Sequence, residues 1–353
     1  PGVPLSPTPT RIAVVPGDGI GAEVMEQGCR VLSALAPELE LETFDLGAER
    51  FLRDGTTMPP GLMERWRNEY AAVYLGALGD PRVPGNQHAR DILLGARFQL
   101  DLYINFRPVQ LLDARRCPLK DRSPEDVDMI VFRENTEGLY TGIGGQFKRD
   151  TPDEVAIEAE MNTRKGVERI IRAAFEFAAT HGRREVLMSD KSNAMRHGHD
   201  LWQRTFKAVA AEYPAIRTRH LFVDVLAMEM VRAPQTLDVI VTNNLFGDII
   251  TDLGAVLQGG IGLAGSANLN PGHTSLFEPV HGSAPDIAGQ GIANPLAAIL
   301  TAGMLLTFLG RPEQEERIRR AVRSCLEADL VTRELGGRLS TSEAGQAVLD
   351  RLG

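Results

Sequence analysis

The sequence predicts an α/β fold with much parallel sheet. Short apolar runs alternate with longer stretches of helical periodicity, and the runs stop at glycines or charged residues, as strands feeding ligand-binding loops do. A third observation bounds the size. The chain has 353 residues of ordinary globular composition, 43% hydrophobic and 24% charged, enough for one large α/β unit or for two lobes.

The first run, Ile12 to Val15 in RIAVVPGDGIGAE, predicts a strand that meets a proline and then Gly17, Gly19 and Gly21, with a helix from about Ala22 to Leu35 behind it. With Ala22 in third place the turn reads G-x-G-x-x-A, the pattern of a dinucleotide loop whose helix N-terminus faces a pyrophosphate. Asp18 inside the loop argues the other way, because it repels an anion. The alternative is a strand-to-helix turn that needs glycine for positive φ.

LELETFDLG is a second strand, and AAVYLGALG a buried one ending in glycines. VDMIVFREN and REVLMSD each read as an apolar strand stopping at charged residues, and LDVIVTNN is another. NTRKGVERIIRAAFEFAATHG is a long amphipathic helix, with Val167, Ile170, Ile171, Ala174, Phe175 and Ala178 at helical spacing and Gly182 as its stop. The glycine-rich stretch from Gly138 to Gly145 suggests a protruding arm. Gly291 to Gly310 carries no charge in twenty residues, long enough for a membrane span. Asn294 and Pro295 open it, Gly303 and two threonines interrupt it, and no second span exists, so a buried core helix is expected.

A net charge of −9 argues against a nucleic-acid binder, since phosphate contacts need a basic surface. An acidic protein with an anionic substrate has to concentrate arginines locally. Cys29, Cys117 and Cys325 show neither metal spacing nor a disulfide framework, and no signal-peptide pattern is present, so a cytoplasmic protein is expected. PGVPLSPTPT, with four prolines in ten residues, reads as a disordered tail.

Candidate chemistry sits just after the strands. Beyond LDVIVTNN, Asp248 and Asp252 are four residues apart, so a helix beginning near Phe246 projects both from one face. A hard divalent cation with oxygen ligands would offset their repulsion. The alternative is a solvated helix face with acids near its N-terminus. Asp224, between apolar residues in LFVDVLAMEM, faces either a metal or an arginine. Arg97, Arg107 and Arg133 could form a carboxylate clamp through bidentate guanidinium bonds, although each singly also fits a structural ion pair. Lys191 directly follows a strand, where desolvation among cations would make it a base. Tyr140 is a candidate proton donor, or simply a half-buried amphipath. Leu276 to Pro295 is rich in small residues yet carries Glu278, His281, Asp286 and Asn294, as a loop reading an adenosine would.

Taken together, PGDGIGAEV, NFRP, RENTEGLY, DKSNA, NLFGDIITDLG and FEPVHGSAPDIAGQGIANP resemble the β-decarboxylating dehydrogenase family, which includes isopropylmalate, isocitrate, homoisocitrate, tartrate and D-malate dehydrogenases. The motifs stand in the family's order from about residue 11 to 310, while the last stretch resembles it only in helical character. The resemblance implies a two-lobed α/β fold that is not a Rossmann fold. The large, NAD-binding lobe comes from both chain ends (1–102 and 259–353), and the small lobe (103–258) carries substrate and metal residues and a dimer arm near 141–160. The glycine turn is then a neighbour of the cofactor cleft, and the adenosine loop is the later one, with Glu278, His281, Gly282, Ser283, Ala284, Asp286, Ile287 and Asn294.

By the same resemblance Arg97, Arg107 and Arg133 hold the malate moiety, and Leu93 and Leu94 meet the substituent at C3, with Arg90 on the same helix and Ala194 from the partner subunit. Tyr140 and Lys191 form the acid–base pair. Asp224, Asp248 and Asp252 bind Mg2+ or Mn2+, with Lys191 and Asp224 of each subunit reaching the other's site in a homodimer. The activity implied is NAD-dependent oxidative decarboxylation of 3-isopropylmalate, a leucine-biosynthesis step. D-malate or tartrate is the alternative substrate, suggested by SANLNPG and KSNAM. Isocitrate and homoisocitrate rank lower, since two leucines offer nothing to a third carboxylate, and the complete residue set argues against a non-catalytic regulatory subunit. Asp286 and Ile287, neither basic nor aromatic, imply NAD rather than NADP.

Overall fold

The computed structural model describes residues 10–353. All of the proline-rich tail except Thr10 lies outside the described residues. The chain divides into two compact units.

The first unit takes the chain up to Leu102, Gln110–Pro124 and Ala255–Gly353. Its strands lie in the spatial order Glu40–Thr43, Arg11–Val15, Ala72–Leu75, Ser275–Pro279, Gly265–Leu269. Neighbours are parallel except the last pair. Alternation along these strands separates two buried layers. Ala13, Val15, Val73 and Leu75 pack with Trp66, Ile92 and Ala96 from the helices Leu62–Glu69 and Gln87–Gln99. Tyr74 points the other way, and its hydroxyl donates to the Ala298 carbonyl at 2.7 Å. That carbonyl belongs to the helix Leu296–Phe308, apolar all round and buried from Leu296 to Leu306. The uncharged stretch from Gly291 is therefore a core helix that starts only after Pro295. Among the described residues, no helix is long and apolar enough to cross a membrane.

The second unit comprises Tyr103–Val109 and Glu125–Gly254. Its strands run in the order Ile104–Gln110, Asp128–Glu134, Val239–Thr242, Glu185–Asp190, Arg217–Phe222. The last four are parallel neighbours, so their carboxyl ends point one way. The amphipathic helix Arg164–Thr180 is capped by Thr163, whose hydroxyl accepts from the Gly166 amide, and it buries all six residues of the predicted stripe. Gly144–Phe147 and Val155–Glu158 form an antiparallel ribbon exposed at all eight positions.

Residues 110–124 and 255–258, expected with the small lobe, fall in the first unit. Their hydrogen bonds explain this. Arg115 and Arg116 donate to the carbonyls of Leu326 and Leu335, and the Gln110 amide donates to Gln258.

Candidate active site

In the second unit, the polar groups gather on Asp248. It lies on the helix Asn244–Leu257, which starts two residues before the predicted Phe246 because Asn243 caps it, accepting from the Phe246 amide at 2.9 Å. Arg133, one residue from the end of its strand, is fully buried. Its guanidinium donates to Asn244 Oδ1 at 2.7 and 3.0 Å and to Asp248. The helix approaches so closely that a Cβ at Gly247 would lie 2.5 Å from Arg133 Cγ, so glycine is required there. The Arg107 guanidinium donates to Thr251 Oγ1 at 2.9 Å and lies 3.8 Å from Asp248. The Tyr140 hydroxyl donates to Asp248 Oδ2 at 2.6 Å, and Arg133 stands 5.2 Å over the Tyr140 ring. Asn244 and Thr251, which orient these arginines, carry no spacing signal that sequence reasoning would single out.

Asp252 is exposed, one helical turn beyond Asp248. Partial burial raises its carboxyl above the usual range and the Asp248 charge raises it further, while Arg107 and Arg133 pull it back. A like-charged oxygen pair with a raised carboxyl fits a hard divalent cation. Two carboxylates do not complete a site, however. Asp224, exposed at the start of the helix Val223–Arg232, pairs with Lys191 Nζ at 2.5 Å, so its partner is a lysine rather than an arginine. That ammonium holds the Asp224 carboxyl below its ordinary range. Among the described residues, no group of three or more His, Cys, Asp or Glu gathers to hold a metal ion.

In the first unit, the loop after strand Ser275–Pro279 leaves buried polar atoms without partners. His281 Nδ1 lies 3.0 Å from the Gly282 carbonyl, which assigns it the proton and leaves Nε2 buried and unpartnered. Burial holds this imidazole below its ordinary pKa. Asn294 Oδ1 accepts from the Leu296 amide at 3.0 Å, while its Nδ2 is buried without a partner. Asp286 and Gly282 are exposed, Ile287 is half-buried, and Ala284 sits at φ +38°. Glu278 accepts from Asn268 at 2.9 Å and lies 3.5 Å from Arg97. An unpartnered acceptor, an unpartnered donor and a free carboxylate in one loop fit an adenosine.

The glycine turn has a different use. Three of its amides are already satisfied: Asp18 by Ala77 O, Ile20 by Ser283 O and Gly21 by Asp18 O, at 2.7–2.8 Å. The Asp18 carboxylate is buried and accepts from the Ala48 amide at 2.6 Å and the Gly79 amide at 2.7 Å, with His88 Nε2 also at 2.7 Å. Gly19, at φ +54°, would put a Cβ 1.9 Å from Ser283 O. With three of its amides spent and an acid at its centre, the turn is poorly suited to cradle a pyrophosphate. It buttresses Ser283 in the later loop.

The helix Gln87–Gln99 carries Arg90 exposed, Leu94 half-buried and Arg97 buried with Nε unpartnered, spaced so that all three share a face. Leu93 instead packs against the core cluster of this unit, which draws it away from a purely ligand-facing role.

A family model described as isocitrate/isopropylmalate dehydrogenase matches residues 11–348. The 3-isopropylmalate dehydrogenase of Streptomyces griseus subsp. griseus is 47% identical over 346 residues, 97% of this chain and 98% of that one. The protein of the same name from Thermobifida fusca is 45% identical over 354 residues, 99% of each chain. Among solved structures, isocitrate dehydrogenase from Methylococcus capsulatus superposes with a TM-score of 0.89 at 37% identity, covering 97% of this chain and 99% of that one. With nearly its whole length matched at such identity, the chain belongs to the isocitrate/isopropylmalate dehydrogenase family of decarboxylating dehydrogenases.

Proposed function

We propose that the chain catalyses the NAD-dependent oxidative decarboxylation of 3-isopropylmalate to 4-methyl-2-oxopentanoate, a step of leucine biosynthesis. The observation that carries this reading is the convergence of Arg107, Arg133 and the Tyr140 hydroxyl on Asp248. Two buried guanidiniums and a proton donor beside a carboxylate pair are what a hydroxy dicarboxylic acid and a hard cation need. Bound NAD supplies the hydride acceptor, and Mg2+ or Mn2+, held by Asp248 and Asp252, supplies a Lewis acid.

Arg107 and Arg133 bind and orient substrate carboxylate, and Arg97, with an unpartnered Nε, is a further carboxylate ligand. Lys191 as the neutral amine, or a group it assists, takes the proton of the C2 hydroxyl as hydride leaves C2. The resulting β-keto acid loses CO2, and Tyr140 gives a proton to the carbon left behind. His281 and Asn294 take the adenine, and Asp286 accepts from the ribose hydroxyls, which favours NAD over NADP.

Asp224 and Lys191 serve a second copy. Within one chain they pair with each other, apart from Asp248 and Asp252. The exposed ribbon bears Phe147, Val155 and Ile157, and Met228, Val231 and Ile249 are exposed on the helices that carry Asp224 and Asp248. Apolar side chains on these elements suit a homodimer. Three free cysteines fit a reducing cytoplasm.

Leu94 meets the isopropyl group, whose burial contributes roughly 1.5–3 kcal/mol by analogy with a valine side chain. A D-malate or tartrate enzyme is the second reading, favoured by Arg90, exposed on the same helix face. NAD reduction with each purified acid, with and without divalent metal, tests both. We expect kcat/KM highest for 3-isopropylmalate and at least about tenfold lower for D-malate, with Leu94→Glu abolishing the preference. A better rate with D-malate or tartrate would overturn the substrate assignment.

A further inference from the structure

Behind Lys191 lies a buried polar chain that the reaction above does not use. The Lys191 amide donates to His199 Nδ1 at 2.7 Å. A nitrogen that accepts has no proton, so the ring proton is on Nε2. His199 is fully buried, and its Nε2 lies 3.3 Å from Glu160 Oε2, itself almost wholly enclosed. The other Glu160 oxygen accepts from Asn243 Nδ2 at 2.6 Å. Asn243 Nδ2 also lies 3.3 Å from His199 Nε2; with protons on both nitrogens, each is directed to the carboxylate. Asn243 caps the helix that carries Asp248 and Asp252.

The chain thus ties the lysine turn to the aspartate helix through one imidazole and one carboxylate. The turn is gripped on its other side by Asp190, whose carboxylate accepts from Ser192, Gln203 and His220 at 2.7–3.1 Å. Glu160 follows the exposed ribbon by two residues, and the bond from Ala159 N to Ile143 O, 2.7 Å, closes the ribbon's base.

We propose that His199, backed by Glu160, is the positioning residue for Lys191 and sets the lysine turn against the helix of Asp248 and Asp252. The proposal rests on the functional reading above only for the role of Lys191. A buried histidine in a cage of donors and acceptors is costly to keep where an apolar residue would pack, unless its two nitrogens fix something in place. Here one nitrogen fixes a backbone amide whose own side chain is the proton acceptor. Displacement of such a group by a fraction of an ångström is enough to slow a reaction.

The test uses the full chain with His199→Phe, His199→Asn and Glu160→Gln. Asparagine keeps an acceptor for the Lys191 amide and a donor for Glu160, and phenylalanine keeps neither. Hydrogen exchange of residues 190–194 is read alongside steady-state kinetics with 3-isopropylmalate. In His199→Phe we expect exchange at least about tenfold faster there and kcat lowered about tenfold or more, with KM for NAD changed less than about twofold. His199→Asn should restore most of both. Should His199→Phe fail to fold, Glu160→Gln is expected to give the same two changes at smaller size. Wild-type exchange in a folded His199→Phe or Glu160→Gln protein overturns the proposal, as does a His199→Asn protein no better than His199→Phe. Faster exchange with wild-type kcat overturns the catalytic half of the proposal. If no hydroxy acid supports NAD reduction in the wild type, the functional reading fails, and the exchange arm still decides the tether.

Discussion

Asp18 and Asp286 show how burial assigns work to a single carboxylate. Asp18 satisfies two backbone amides and faces His88, with the Ala48 and His88 contacts buried and the Gly79 contact partly so. Removing it strands these donors, so Asp18→Ala should lower the unfolding free energy by about 3 kcal/mol, read from urea titration. Asp286 is exposed, and Asp286→Ala should change stability by less than about 0.5 kcal/mol while raising KM for NAD. Equal stability losses for the two would refute the distinction. On the proposed reading, Tyr140 and Lys191 separate by step rather than by burial. Tyr140→Phe should impair decarboxylation and protonation more than hydride transfer, whereas Lys191→Met should slow hydride transfer as well, because the hydroxyl proton then has no acceptor. Stopped-flow NADH formation distinguishes them, and near-normal NADH formation in Lys191→Met would remove that residue from the mechanism.

The helix Asn244–Leu257 carries a conflict of its own. Asp248 and Asp252 repel across one turn, and burial with that repulsion raises the Asp252 carboxyl. Asp252→Asn should therefore leave the metal-free protein as stable as the wild type, or stabilise it by a few tenths of a kcal/mol at most. It should also remove the stabilisation by Mn2+, about 2.7 kcal/mol for a ligand at a hundredfold excess over its Kd. Thermal unfolding with Mn2+ and with EDTA measures both, and a wild-type response in Asp252→Asn would take that residue out of the metal site. This pair was legible because spacing alone fixes the face of a helix. So were the strands Arg11–Val15, Ala72–Leu75, Asp128–Glu134 and Glu185–Asp190, whose apolar runs are long and cleanly bounded. The strands that escaped have reasons. Ile104–Gln110 contains Pro108, Arg217–Phe222 is polar at its first four positions, and Gly265–Leu269 opens with three small residues. In the site, what could not be read was partnership. Nothing in the sequence pairs Arg133 with Asn244, Arg107 with Thr251, or Asp18 with His88, because such bonds join residues far apart in the chain and follow no spacing rule.

At the scale of the whole molecule, the question is which chain completes which site. Lys191 and Asp224 bond to each other, while Asp248 and Asp252 stand with Arg133, Arg107 and Tyr140. If each site draws one group from each subunit, two dead variants can repair one another. Lys191→Met removes the contributed lysine, and Asp248→Asn removes the resident acid. Each homodimer should be nearly inactive. In a mixed dimer, one site receives both defects and the other receives neither. Random re-association from equal amounts then yields intact sites at about a quarter of all sites, with a two-fold symmetric dimer assumed. Activity recovered on mixing, after mild denaturation and refolding together, should approach that fraction of wild type. If both residues serve the site of their own chain, every site in the mixed dimer carries a defect and mixing recovers nothing. Lys191→Met mixed with Tyr140→Phe should complement in the same way, because Tyr140 stands on the Asp248 side. Asp248→Asn mixed with Tyr140→Phe should not, since in a mixed dimer each site keeps one of the two defects.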